Sequence, residues 1–230
     1  MSLEELLCEL RGARLDDNAL PHLWSDAQLT SYLNDAVRQV CIRQRCLVES
    51  VNATVCQYSL AACVKLLKLH PSILAVRTLR ITEADGTHRN DIVGKTLRWV
   101  RDRHPCWETW DACCAHYWIP DYQSGYIVLD RGSEQACTVN MTCWRLPIES
   151  EELDANDTTG EPIIDTAWHT DLTDWAVYRA FLGKDDETLD RSLGPSAASA
   201  FDAKVGPLPS AAAIRLWGVS PIVGTKPQYL

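Results

Sequence analysis

Apolar residues recur at helical spacing toward both ends of the chain, and the period changes between Val51 and Pro147. Near the start, Ser2 and Glu5 form a capping-box pattern. Leu3, Leu6, Leu7 and Leu10 then make one stripe, which Gly12 is expected to end. A polar loop is expected from Arg14 to Pro21. The strongest helix signal follows, with Trp24 before the cap, Ser25 at it, Gln28 three residues on and Leu29 after that. Leu29, Leu33, Ala36, Val37, Val40 and Cys41 face one way, with Asp35, Arg38 and Arg43 expected outward. Read to Arg45, this helix is roughly 30 Å long. In the middle, six segments rich in β-branched and aromatic residues read as strands: 53–60, 64–69, 73–82, 116–120, 126–129 and 137–146. The pairs His70-Pro71, Asp85-Gly86, Ser124-Gly125 and Arg131-Gly132 supply turns between them, and 96–103 reads as a short helical piece.

Helical spacing returns from Trp168 to Leu182, with Gly183 closing that helix. Asp185 or Asp186 can cap a short piece up to Leu193, and Gly194-Pro195 restarts a helix that runs to Val205. The predicted organisation is therefore four parts. Residues 1–50 hold the N-terminal helices of a bundle, and 51–148 a β-rich antiparallel insertion of five or six strands. Residues 149–205 hold an acidic loop and the helices that complete the bundle, and 206–230 an extended arm. The class is α+β: a bundle of three to four helices, an inserted small antiparallel β-sheet and an extended C-terminal arm.

Composition sharpens two of these parts. The 230 residues carry a formal net charge of −9, with 46% hydrophobic residues and nine Trp, enough for a packed core. Seven acids lie between Glu149 and Asp165 with no Lys or Arg among them. Glu149, Glu151, Glu152, Asp154, Asp157 and Glu161 are the candidates for a negative lining beside DNA, against the simpler reading of a solvated loop. From Gly206 onward there is no acid, and four Pro and three Gly prevent a long helix. Leu208, Ile214, Leu216, Trp217, Val219, Ile222, Val223, Tyr229 and Leu230 would be costly to leave in water, so they are the candidate partner-binding residues of the arm. The alternative is a tail that wraps over its own body.

The overall negative charge disfavours tight DNA binding but suits a surface along which DNA slides. No stretch is long and apolar enough for a membrane span, and the start of the chain is no signal peptide. Ten Cys are then expected as free thiols. His104, Cys106, Cys113, Cys114 and His116 carry zinc-type ligands, yet adjacent Cys on a strand point opposite ways and no C-x-x-C is present, so neither metal nor other cofactor is expected. Cys41 and Cys46, five apart, are poorly spaced for joint ligation. Nucleophile elbows, phosphate loops and paired catalytic carboxylates in a pKa-raising setting are all missing from the sequence, so no enzyme is expected.

The order of elements, together with Trp24-Ser25-Asp26, Leu69-His70-Pro71, Trp144-Arg145-Leu146-Pro147 and Asp174-Trp175-Ala176-Val177-Tyr178-Arg179, resembles the head-to-tail adaptors, or connectors, of short-tailed bacteriophages. The resemblance covers about residues 1–206. It implies a ring, usually of about twelve copies, fixed beneath the portal of the virion and assembled in the host cytoplasm. It further implies that the C-terminal arm docks on the portal, that a tail or nozzle protein binds the opposite face, and that double-stranded DNA passes through without specific binding. The Cys-rich body and the Gly194-Pro195 interruption depart from that pattern. Another virion ring protein, such as a tail terminator or tail-tube component, is the alternative, and a soluble zinc-binding protein a more distant one.

Overall fold

A computed structural model describes residues 1–89, 92–182 and 193–219. In chain order the helices are α1 (Leu3–Glu9), α2 (Asp26–Gln44), α3 (Ala53–Cys56), α4 (Leu97–Arg103), α5 (Leu172–Leu182), α6 (Leu193–Val205) and α7 (Ala211–Arg215). The strands are β1 (Val48–Glu49), β2 (Gln57–Leu60), β3 (Leu66–Lys68), β4 (Ile73–Thr82), β5 (His88–Arg89), β6 (Val93–Gly94), β7 (Tyr117–Ile119), β8 (Tyr126–Leu129) and β9 (Cys137–Arg145). They form two compact units. One joins Met1–Leu47 to Arg145–Pro209, and the other joins Val48–Trp144 to the segment from Ser210 onward.

The first unit is helical. Both capping boxes form: the Ser2 hydroxyl accepts from the Glu5 amide, and the Ser25 hydroxyl from the Gln28 amide, with each third residue bonding back to the cap. Gly12 does not end the first helix. The chain continues through Leu10–Leu15 as a wider π-helical turn that closes at Asp16, φ 50°. The wider turn lets Leu10, Arg11 and Leu15 all face inward. Arg11 then donates to Asp17 (2.6 Å), to Asp26 (2.6 Å) and to the Trp24 carbonyl (2.8 Å). The supposed polar loop is thus organised around a buried carboxylate. Burial alone would raise the pKa of Asp17, but the amides of Leu23 and Trp24 and the Arg11 guanidinium outweigh it and hold it below the ordinary 3.8. A depressed carboxyl contributes stability above its unfolded value and loses it as pH falls through the folded one. Below about pH 4 the melting temperature of the wild type is therefore expected to fall faster than that of Asp17→Asn, and parallel melting curves would refute the linkage.

Helix α5 begins later than expected. Asp165 caps a short turn, Thr166–Trp168, by accepting from the Ala167 amide, and α5 starts at Leu172. Gly206, φ 87°, closes α6. Leu6, Leu29, Leu33, Val40, Leu172 and Phe201 are wholly buried among these helices. Arg43 does not turn outward. It bonds the Gly206 carbonyl (2.7 Å) and Asp202, and its guanidinium lies over the rings of Trp175 (5.3 Å) and Phe201 (4.9 Å). Leu47 and Arg145, where the chain leaves and re-enters this unit, are joined by an Arg145 amide to Leu47 carbonyl bond of 3.1 Å.

The second unit holds two sheets rather than one. The first has the order β1-β9-β4-β5, with β2 also paired to β9. Strands β1 and β2 lie antiparallel to successive stretches of β9, at Val48↔Trp144 and at Gln57↔Asn140. The second has the order β3-β8-β7-β6. There β6 and β7 are parallel, which the intervening α4 crossover permits, so this insertion is not purely antiparallel. The first half of the expected strand at 53–60 is α3, because Asn52 caps it by accepting from the Thr54 amide. Strand β9 alternates buried and half-buried positions along its length, the pattern of a sheet face packed on a core. Val100, Trp107, Ile119 and Val128 form the core beneath α4.

Candidate partner-binding surfaces

The C-terminal segment expected as an extended arm is folded where it is described. Ser210 caps α7 by accepting from the Ala213 amide (3.1 Å), and the Ala-rich turn that follows lies on β4. Trp217 meets the Trp144 ring edge-on at 6.1 Å, and Arg77 lies over the same Trp144 ring. Gly218 then crosses β4 with φ 80°, so closely that an added Cβ would stand 2.0 Å from the Val76 carbonyl oxygen. Only glycine satisfies both constraints. Ile214 and Arg215 border a cleft of about 320 Å³ together with Leu69, Pro71, Ile73 and Tyr126. Of the candidate arm residues, Ile214, Trp217 and Val219 are half-buried, whereas Leu208 and Leu216 are exposed. Ile222, Val223, Tyr229 and Leu230 lie outside the described residues.

The acidic segment of the helical unit divides in two. Glu151 holds the buried Arg145 through both oxygens, at 2.5 and 2.8 Å, and Glu152 pairs with Arg38. These two carboxylates tie the segment to its own unit. Glu149, Asp154, Asp157 and Glu161 are exposed, as is Asp165. Asp154 accepts from Asn156, and Asp157 from the Thr159 hydroxyl and amide, which keeps the Asp157 carboxyl below its ordinary pKa. Both carboxylates are set in fixed turns.

A third surface has no counterpart in the expectations. On the sheet unit, Trp99, His104, Trp110 and Tyr117 form a connected ring cluster, with centroids 5.0 to 6.1 Å apart. Lys95 and Arg103 lie over Trp99, and Arg131 over Trp110 at 4.4 Å. Arg98 and Arg101 project from α4 beside them with side chains 92% and 57% exposed. The signal was present as four Lys or Arg residues between Lys95 and Arg103, but the whole-chain charge of −9 conceals it.

Of the zinc-type residues, the two histidines lie in other contacts. His104 stacks on Tyr117 and meets Trp110 edge-on, and the backbone amides of His116 and Tyr117 donate to the buried Asp130 carboxylate. Among the described residues, no three His, Cys, Asp or Glu are grouped to hold a metal. All ten Cys are free thiols. Arg45, in the left-handed conformation at φ 54°, turns Cys46 back to 3.9 Å from Cys41, and Cys56 lies 3.8 Å from Cys143. The hydrogen bond with Cys46, reinforced by burial, pushes the Cys41 thiol up. No helix among the described residues is long and apolar enough to cross a membrane.

Comparison with known proteins adds one finding. A family model described as SU10 adaptor protein matches residues 1–222, and so takes in both the helical and the sheet unit. No curated protein matches the chain significantly.

Proposed function

We propose, on the premise that this chain belongs to the SU10 adaptor protein family, that it is a subunit of a ring joining the portal of a short-tailed phage to its tail and continuing the DNA channel. The family is structural, and its members are phage adaptors of the virion neck, so the chain is not assigned a catalytic role. The observation that carries the ring reading is the extent of the match, 1–222, which makes the adaptor architecture a property of the whole molecule and not of one unit. The net charge of −9 supports a conduit in which duplex DNA does not stick. In such a ring the exposed carboxylates of 149–165 have two places open to them, the wall of the DNA path or the boundary between copies.

The portal contact is assigned to the residues that follow the Gly218 crossing, with Ile222, Val223, Tyr229 and Leu230 as its apolar anchors. On this reading the segment from Ser210 to Val219 is the root of the arm and the rest its reach. Mixing the purified chain with portal and imaging the product tests the reading directly. A ring capping the portal is the expected result, and a chain lacking residues 220–230 should stay folded but leave the portal bare. A full-length chain that neither binds portal nor forms a closed ring in its presence refutes the proposal.

A further inference from the structure

We infer that the exposed face of α4, with the Trp99–His104–Trp110–Tyr117 rings beneath it, is the docking surface for the acidic segment 149–165 of a second copy of this chain. The inference rests on the ring reading above and says which surfaces close the ring. Each copy carries both halves of the contact on different parts of its surface, so the contact is head-to-tail, the kind that closes on rotation.

Three observations carry it. The first is charge complementarity within one sequence. Lys95, Arg98, Arg101, Arg103 and Arg131 gather around α4; among the described residues Asp102 pairs with Arg98 at 3.9 Å and Glu108 with Arg101 at 3.6 Å, both partners well exposed in each case. Exposed pairs of that kind are weak and yield readily to a better partner. On the other side, Glu149, Asp154, Asp157, Glu161 and Asp165 are exposed in a segment that holds no cation.

The second observation is preorganisation. Lys95, Arg103 and Arg131 lie on aromatic rings, so less side-chain freedom is lost when a partner arrives. Asp154 and Asp157 are fixed by their own turns, and Glu151 anchors the segment through Arg145. The third is composition. Half-buried Trp and Tyr rings edged by exposed Arg side chains are the composition that distinguishes a protein–protein contact from ordinary surface. Duplex DNA is the other anion such a face can take, and the test below separates the two.

The test uses full-length chains in two charge-reversed forms. One carries Arg98→Glu with Arg101→Glu, the other Glu149→Lys with Glu161→Lys. All four positions are exposed, so both forms should fold, which circular dichroism checks. Assembly is followed by sedimentation velocity at low salt, with and without portal. Each form alone is expected to need at least about tenfold more protein to assemble than the wild type, because like charges then face each other at every boundary. An equimolar mixture of the two should assemble as the wild type does, since each altered face meets a complementary one on the other form. Assembly of either form at wild-type concentration overturns the inference, and so does a mixture that fails to recover. Normal assembly of the Arg98→Glu, Arg101→Glu form combined with lost affinity for a duplex oligonucleotide assigns the face to DNA instead. Failure of the wild type itself to form a ring removes the ring reading along with this one, whereas variants that assemble normally remove only this one.

Discussion

Replacing Phe201 by Ala is expected to destabilise the helical unit by about 3–5 kcal/mol, the usual cost of deleting a wholly buried aromatic side chain. Phe201 is 0% exposed on α6 and packs 5.1 Å from the Trp175 ring of α5. The guanidinium of Arg43 lies over the same ring at 4.9 Å, so three helices meet on one ring. Truncation leaves a cavity between α5 and α6 and removes the surface on which a largely buried cation rests. Against a typical total of about 5–15 kcal/mol, that is a large fraction of the stability. Urea unfolding followed by far-ultraviolet circular dichroism measures it. A loss under about 1 kcal/mol would mean that Trp175 and Arg43 collapse into the space, and the packing argument would not stand.

The second large effect is expected at Gly218. A non-glycine residue at φ 80° costs about 1–2 kcal/mol in backbone strain alone. At this position the added methyl also strikes backbone: the Val76 carbonyl oxygen at 2.0 Å, its carbon at 3.1 Å and the Arg77 Cα at 3.2 Å. Strand β4 is held by hydrogen bonds in its sheet and cannot give way as a flexible side chain would. Gly218→Ala should therefore lift the segment from Ser210 off the sheet and separate Trp217 from Trp144. The expected signature is altered tryptophan fluorescence with much faster trypsin cleavage after Arg215, while the helical unit melts unchanged. Wild-type cleavage rates would show that the crossing tolerates a side chain. Because the proposed portal contact follows this crossing in sequence, the same substitution should weaken portal binding without altering residues 220–230.

How much of this was legible in the sequence depended on how local each signal is. The start of α2 was readable because Ser25, Gln28 and Leu29 sit within one turn and satisfy one another. The strands at 73–82 and 126–129 were readable from their own composition. Their division between two sheets was not, since strand pairing joins residues far apart in the chain. Two-residue strands such as β1 and β6 are too short to show any period. Asp17 looked like an ordinary loop acid, and nothing adjacent to it announces that Arg11 turns inward to meet it. Arg43 followed the outward phase of its helix until α6 arrived to cover it. For the candidate surfaces, residue types near the C-terminus pointed to an apolar segment, but not to the left-handed crossing at Gly218 that fixes its root. The basic face near α4 was lost in an average, because charge was summed over the whole chain instead of by unit.

The connections between the two units carry a consequence for how such a molecule changes over time. The helical unit sees its intervening chain begin and end at Leu47 and Arg145, two residues already joined by a hydrogen bond. The inserted stretch of the sheet unit likewise begins and ends on neighbours, Val48 opposite Trp144, while its remaining segment enters at Ser210. The entropic cost of closing a loop on such ends grows only slowly with its length, by about 0.6 kcal/mol for each doubling. The intervening module can lengthen, shorten or be exchanged with little effect on the helices that carry it.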